Sequence, residues 1–185
     1  MTLRRPLIRA AALLSLLSVA TLAVADNVVL SGSSIIATFR QENVPVDAPF
    51  KKFTGSILYD PAHPTAASAS LSVDTGSLDI GDAQYNAEVL KPAWFDTAHY
   101  PQALFKSTSV TSQSADHFTA VGTLSIKGHA QTISVPISVR KSGSTTFFEG
   151  SFDLSRKAYA IGDPIWEDVL DDKVHVHFSL SSTGR

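Results

Sequence analysis

His175 and His177 come closest, by residue type and spacing, to a metal-binding pair in this chain. They are two positions apart, so on a strand both imidazoles project from the same face and could bind one ion. A zinc site needs at least three protein ligands, and the neighbouring sequence adds only loop carboxylates. The chain has no cysteine, which excludes a thiolate site and a disulfide framework. We therefore predict two solvent-exposed histidines and no metal or other cofactor.

Nucleophilic catalysis and phosphate binding have recognisable sequence patterns, and none of them is present. The chain contains no G-x-S-x-G, no H-E-x-x-H and no glycine-rich phosphate loop. Arg156 and Lys157 are adjacent cations that could bind a phosphate or carboxylate head group, or equally form surface ion pairs. We predict that the protein is not an enzyme. A hydrolase or isomerase stays as an alternative, because sites assembled in space leave no local motif.

Aromatic side chains are the other residues with a distinctive arrangement. Trp94 and Phe95 precede a Tyr100-Pro101 break, and the strand pattern that follows carries Phe105. Rings in such positions either fill a core or line a space that a ligand fills. The choice between these two depends on the elements that position the rings.

Apolar and polar residues alternate along most of the chain, which predicts β-strands with one apolar face each. Clean alternation favours antiparallel pairing with one solvated face. Eight such strands can close into a barrel or fold as a sandwich, so we predict an all-β fold. The predicted strands span residues 34–40, 52–59, 67–74, 102–110, 118–127, 132–140, 148–155 and 174–181.

The alternation is interrupted once, between the third and fourth predicted strands. Asp82 can cap a helix, and Ala83, Ala87, Leu90 and Trp94 fall on one face at helical spacing. We predict a short helical insert within residues 82–98 that covers the mouth of a barrel.

The inward-facing positions decide whether a barrel of this size is solid or hollow. Many of them are small, including Ala37, Gly55, Ala120, Gly122 and Gly150, and they leave space unless phenylalanine rings fill it. A filled core and an apolar tunnel are both consistent with this pattern.

The first 25 residues have the pattern of a secretory signal peptide, with three arginines, an apolar run over residues 10–24 and a small-x-small site. We predict that its cleavage leaves one domain, residues 26–185, without a stable membrane anchor. Removing those three arginines from 15 basic residues leaves 12 against 17 acidic ones, a net charge of −5. This balance argues against nucleic acid as a partner.

Five segments follow one recognisable family pattern. The longest is DTGSLDIGDAQYNAEVLKPAWFDTAHYPQALFKSTSV, residues 74–110. Two shorter ones precede it, SSIIATFR and FKKFTGSILYDP, and two follow it, AVGTLSIKGHAQTISVPISV and GSFDLSRKAYAIGDPIW. Together they resemble the YceI-like family over essentially the whole of residues 26–185.

This resemblance implies that the eight predicted strands form a lipocalin-like antiparallel barrel in an exported, periplasmic protein. It also implies binding of a polyisoprenoid or similar long-chain amphiphilic lipid in an apolar tunnel, without catalysis. The acidic stretch EDVLDDKV, residues 167–174, departs from the family pattern near the mouth. Isoprenoid quinones, fatty acids and fatty amides are therefore alternative ligands.

On this interpretation the ligand-binding residues form a wall, a lid and a polar contact at the mouth. The wall consists of Phe39, Phe53, Phe105, Phe118, Phe152 and Phe178. The lid and mouth consist of Leu90, Trp94, Phe95, Trp166 and Arg156. The alternative function is a stress-related protein-interaction module with a filled core. The sequence leaves a homodimer open.

Overall fold

The computed structural model describes residues 25–183, which form ten β-strands and one short α-helix. Helix α1 spans Ala83–Glu88. The strands are β1 Asp26–Asn27, β2 Ser34–Gln41, β3 Val44–Pro49, β4 Phe53–Leu58, β5 Ser68–Asp74, β6 Gln102–Ser112, β7 His117–Ile126, β8 His129–Ser142, β9 Thr145–Ser155 and β10 Lys173–Thr183. The predicted signal peptide, apart from Ala25, lies outside the described residues.

All ten strands belong to one antiparallel sheet, in the order β1-β4-β5-β6-β7-β8-β9-β10-β2-β3. The all-β antiparallel class is confirmed, but the predicted count of eight strands was wrong. The eight predicted strands correspond to β2 and β4 to β10. The alternation missed β1 because it has only two residues. It missed β3 because Pro45 and Pro49 interrupt the pattern, and proline restricts a strand to the edge of a sheet.

The sheet is curled, and residues 26–29 connect its two sides at one end. Val28 N–H donates to Gly55 O of β4 at 2.9 Å, and Val29 N–H donates to Ser181 O of β10 at 2.8 Å. The inward faces of the strands therefore surround a common interior, as their alternating sequences require.

The predicted helical insert is present between β5 and β6. Asp82 caps α1 by accepting hydrogen bonds from the N–H groups of Gln84 and Tyr85 at 2.8 and 3.1 Å. The helical face predicted to include Leu90 and Trp94 was wrong, because α1 ends at Glu88 and the chain then turns. Within residues 25–183, no helix is long and apolar enough to cross a membrane.

Candidate functional site

The interior contains a cavity of about 470 Å³. Inward-facing side chains of β2, β3 and β5 to β10 form its wall, together with residues of the connecting segments. Nearly all of these side chains are aliphatic or aromatic. A space of this size and composition is typical of a site for a small apolar ligand.

Most of the predicted ligand-binding residues lie around this cavity. Eight of them line it: Phe39, Trp94, Phe95, Phe105, Phe152, Arg156, Trp166 and Phe178. They come from four strands, β2, β6, β9 and β10, and from the segments between strands, and the curl of the sheet brings them together. Whether they contact a ligand stays a prediction.

The other three predicted residues lie elsewhere. Leu90 is 38% exposed and is not part of the lining, because α1 has ended before it and its side chain faces outward. Phe53 belongs to an apolar cluster with Ile57 and Leu180. Phe118 is only 4% exposed and packs against Tyr59. Alternation assigned Phe53 and Phe118 to the inward face but could not show that this part of the interior is filled.

The cavity has one polar end, which we call the mouth. Gln41 lies there at the end of β2, where it forms a β-bridge with Leu170. Helix α1 covers this end, and the rings of Tyr85 and Trp166 meet edge to face with centroids 6.4 Å apart. The polar side chains that line the mouth are Gln41, Asp82, Glu88, Arg156 and Asp171. The mouth therefore carries more acidic than basic groups.

Trp94 was predicted to be part of a lid, and its side chain lines the cavity; whether it acts as a lid stays a prediction. Its side chain is 9% exposed and packs in an apolar cluster with Val89, Tyr159 and Ile161. The backbone beside it is held by a hydrogen bond of 2.9 Å from Gly162 N–H to Ala93 O. Residues of α1 and of the 3₁₀ turn Pro164–Trp166 line the mouth as well.

Arg156 is a buried cation, with 7% of its surface exposed. Its guanidinium donates to three backbone carbonyls, those of Ile161, Leu170 and Asp171, each at 3.0 Å. Gly162 allows this arrangement, because a Cβ at that position would lie 2.1 Å from the guanidinium Nη1. Arg156 therefore holds the segment that forms one side of the mouth.

Asp172 supports the same segment through its side chain. Burial by itself raises the pKa of Asp172. Its carboxylate accepts hydrogen bonds from Lys157 N–H and Ser155 Oγ, both at 2.9 Å, and lies near the positive charge of Arg156. These interactions outweigh the effect of burial, so the pKa of Asp172 is lowered. Its ionised form thus stabilises the loop beside the mouth.

Acid is expected to weaken this support. Because the pKa of Asp172 is lower in the folded than in the unfolded state, its stabilisation is present above the unfolded value of about 3.9 and is lost as pH falls through the folded value. We expect Asp172→Asn to show a smaller drop in unfolding free energy between about pH 6 and about pH 3 than the wild type. Urea denaturation at both pH values measures this. An equal drop in both proteins would contradict the assignment.

The predicted histidine pair lies on the outer face of β10, away from the cavity. His175 Nδ1 lies 2.8 Å from Asp153 Oδ1, and hydrogen bonding from His175, together with Lys173, lowers the pKa of Asp153. His177 lies opposite Ser151 on β9. Across residues 25–183, no group of three or more His, Cys, Asp or Glu side chains has a geometry suited to a metal ion.

The prediction from sequence considered aromatic rings and missed the aliphatic part of the wall. Ile35 and Ala37 of β2 line the cavity, and so do Ile133, Val135 and Ile137 of β8. The same alternation that identified the strands also identifies these side chains as inward-facing. Phe50 and Leu78 had no such signal, because they lie in loops and join through an isolated β-bridge.

Comparison with known proteins gives consistent matches to one family. A model of the YceI-like domain matches residues 27–182. The crystal structure of Burkholderia cenocepacia BcnA is similar, with a TM-score of 0.82 and 37% identity, covering 84% of this chain and 99% of that one. A UPF0312 protein of Vibrio cholerae is 29% identical over 133 residues, which are 69% of this chain and 70% of the relative.

A more distant structure has the same fold. It is a polyisoprenoid binding domain from Saccharophagus degradans implicated in plant cell wall breakdown, with a TM-score of 0.69 and 18% identity, covering 88% of this chain and 100% of that one. The domain match spans nearly all the residues that form the sheet and the cavity. This chain belongs to the YceI-like family.

Proposed function

We propose that this protein binds an isoprenoid-type or similar long-chain amphiphile and carries or sequesters it inside a lipocalin-like barrel. The observation that carries the proposal is the cavity of about 470 Å³ with an almost wholly apolar wall and a single polar mouth. Each methylene group taken out of water contributes about 0.8 kcal/mol, so a tail can bind tightly with few polar contacts. A filled-core interaction module would have no such space.

The family comparison supports an isoprenoid tail. The Saccharophagus degradans domain, which shares the fold, is named as a polyisoprenoid binding domain. A branched isoprenoid chain also suits a wall of aliphatic side chains interrupted by phenylalanine rings, because such a wall makes dispersion contacts without demanding hydrogen bonds. A quinone or a fatty amide would use the same wall.

The mouth favours an uncharged head group. Asp82, Glu88 and Asp171 line it, and an anion placed among them would be repelled. Arg156 is the cation in the lining, and its guanidinium is already directed at three carbonyl oxygens. An alcohol, amide or quinone head group is compatible with these partners, whereas a phosphate or carboxylate would be repelled by Asp82 and Asp171, and by Glu88 to the extent that its ion pair with Lys91 leaves its charge uncompensated.

We further propose that the protein acts in the periplasm. The support is the signal-peptide pattern of residues 1–25. Export would place an apolar binding site between membranes, where a long-chain lipid cannot diffuse freely through water.

Intrinsic fluorescence tests ligand binding, because the chain has two tryptophans and both line the cavity. In Trp166→Phe, Trp94 is the remaining emitter, and we expect its emission to shift when a prenyl alcohol is added. A prenyl phosphate of equal chain length should bind at least about fivefold more weakly, since a repulsion of about 1 kcal/mol corresponds to that factor.

Trp94→Phe is the matched control, because it leaves the emitter at the mouth. Both variants should report the same affinity, since one molecule fills one cavity. If neither emission responds to prenyl alcohols, fatty amides or quinones, the proposed function is wrong. If the phosphate binds as well as the alcohol, the preference for an uncharged head group is wrong.

A further inference from the structure

We propose that three packed rings, those of Tyr59, Phe118 and Phe148, close the inner end of the cavity and set the length of tail that it accepts. We call these three rings the aromatic plug. The inference rests on the proposed function and adds a limit to the ligand: a fixed number of isoprene units lies inside the protein, whatever the total length of the chain.

The strands show where the cavity stops. On β7, Ala120 lines the cavity, whereas Phe118, the preceding inward residue, does not. On β10, Phe178 lines it, whereas Leu180 does not, and Leu180 lies opposite Phe148 of β9. The inward-facing series therefore continues beyond the cavity into side chains that fill the interior.

The rings of the plug pack against one another. Tyr59 meets Phe148 edge to face with centroids 5.5 Å apart, and it meets Phe118 in the same way at 6.0 Å. Phe118 and Phe148 are both buried. Edge-to-face contacts of this kind add to the stability gained from burial, so the plug is a packed floor and not a loosely closed opening.

Residues 26–33 cover the plug from the outside. Val28 packs against the same apolar cluster as Phe148 and Leu180. The covering segment is fixed by Ser33 Oγ, which donates to Val29 O at 2.6 Å and accepts from Ser181 N–H at 2.9 Å. A tail that enters through the mouth therefore meets a closed end.

The floor sets the length. A tail whose head group lies at the mouth can extend inward only as far as the plug, so the distance between these two ends limits the number of isoprene units inside the protein. Further units of a longer chain would remain at or beyond the mouth and gain little from the apolar wall.

The test is a titration of prenyl alcohols of two, three, four and more isoprene units, read by tryptophan emission. For the wild type, affinity should rise at least about tenfold with each added unit until the tail reaches the plug, and then by less than about threefold for each further unit. We call the chain length at which the steep rise ends the levelling point. Phe118→Ala, which opens the floor beside Ala120, should shift the levelling point to a longer chain. Ala120→Leu, which fills the cavity next to the plug, should shift it to a shorter chain.

Phe147→Ala is the control for removing an aromatic ring. Phe147 is next to Phe148 in the sequence but does not line the cavity. Its ring packs against the Arg140 guanidinium, with 4.3 Å between the ring centroid and Arg140 Cζ. Its levelling point should equal that of the wild type. Because Phe118→Ala removes a buried ring and could unfold the protein, Ala120→Leu by itself also decides the question.

The outcomes separate the two proposals. A wild-type affinity that keeps rising with every added unit overturns the plug but leaves the lipid-binding function intact. A levelling point that equals the wild-type value in both folded Phe118→Ala and folded Ala120→Leu also overturns the plug. Absence of binding at every length overturns the proposed function itself, and the plug with it.

Discussion

Replacing Arg156 with methionine is expected to lower the free energy of unfolding by about 3–5 kcal/mol, since one buried and two partly buried carbonyls lose a charged donor at about 1–3 kcal/mol each. Methionine retains much of the volume of the arginine side chain, so the loss of stability measures the lost hydrogen bonds and not the creation of a cavity. The carbonyls belong to Ile161, Leu170 and Asp171, which shape one side of the mouth. Ligand release should therefore become faster as well.

Two further substitutions make this expectation specific. Arg156→Lys keeps the charge, but an ammonium cannot reach three carbonyls in a plane, so it should be nearly as destabilising. Lys157→Met removes the neighbouring exposed cation and its ion pair with Glu167, and should change stability by less than about 1 kcal/mol. Urea denaturation measures all three variants. An Arg156→Met protein as stable as the wild type would show that the guanidinium does not hold this segment.

Filling the cavity from β2 is expected to abolish most of the binding. Ala37 lines the cavity and faces it from the middle of the strand. The ring of Ala37→Phe would occupy the space of several tail carbons. At about 0.8 kcal/mol per methylene, the loss of four carbons weakens binding by about 200-fold. The unfolding free energy should change by less than about 1 kcal/mol, because the ring enters open space.

Gly122→Ala is the contrasting substitution, since it adds a single methyl group where there is no space. A Cβ at Gly122 would lie 2.5 Å from Cζ of Phe105 and 2.6 Å from Lys106 O. We expect a loss of about 1–3 kcal/mol in stability, as for other overpacked sites. If Ala37→Phe were the more destabilising of the two and bound lipid normally, the interior at Ala37 would be a filled core.

The strands could be predicted from the sequence because alternation with a period of two directly reports a sheet with one buried face. Eight of the ten strands carry that signal. The residues of β3 do not, since a strand at the edge of the sheet needs neither a regular pattern nor every N–H group. Strand β1 is defined by its pairing with Ile57 and Ser56 of β4, which no local pattern encodes.

The site was predicted in part for the same reason. Alternation shows which side chains face inward, so Phe39, Phe105 and Phe152 could be assigned to the interior. It does not show how far along each strand the empty space extends, and Phe118 therefore looked the same as Phe105. Only the packing of Phe118 against Tyr59 distinguishes a residue of the floor from a residue of the wall.

Arg156 shows a second limit of the sequence. The sequence correctly placed Arg156 beside a loop. It suggested a contact with an anionic head group, whereas the guanidinium donates hydrogen bonds to three backbone carbonyls. Those carbonyls come from residues up to 15 positions away, brought close by the turn of the chain over the mouth. Hydrogen bonds to backbone atoms depend on the fold and leave no mark in residue identity.

Mass spectrometry of an organic extract from the purified protein tests the central claim most directly. The account predicts about one apolar, long-chain molecule per wild-type chain, released by solvent and strongly depleted in Ala37→Phe, whose cavity is filled. Comparing these two proteins, expressed and purified side by side, separates a cavity ligand from lipid that adheres to the surface. A wild-type protein that carries no more lipid than Ala37→Phe would contradict the claim that this cavity is a lipid-binding site.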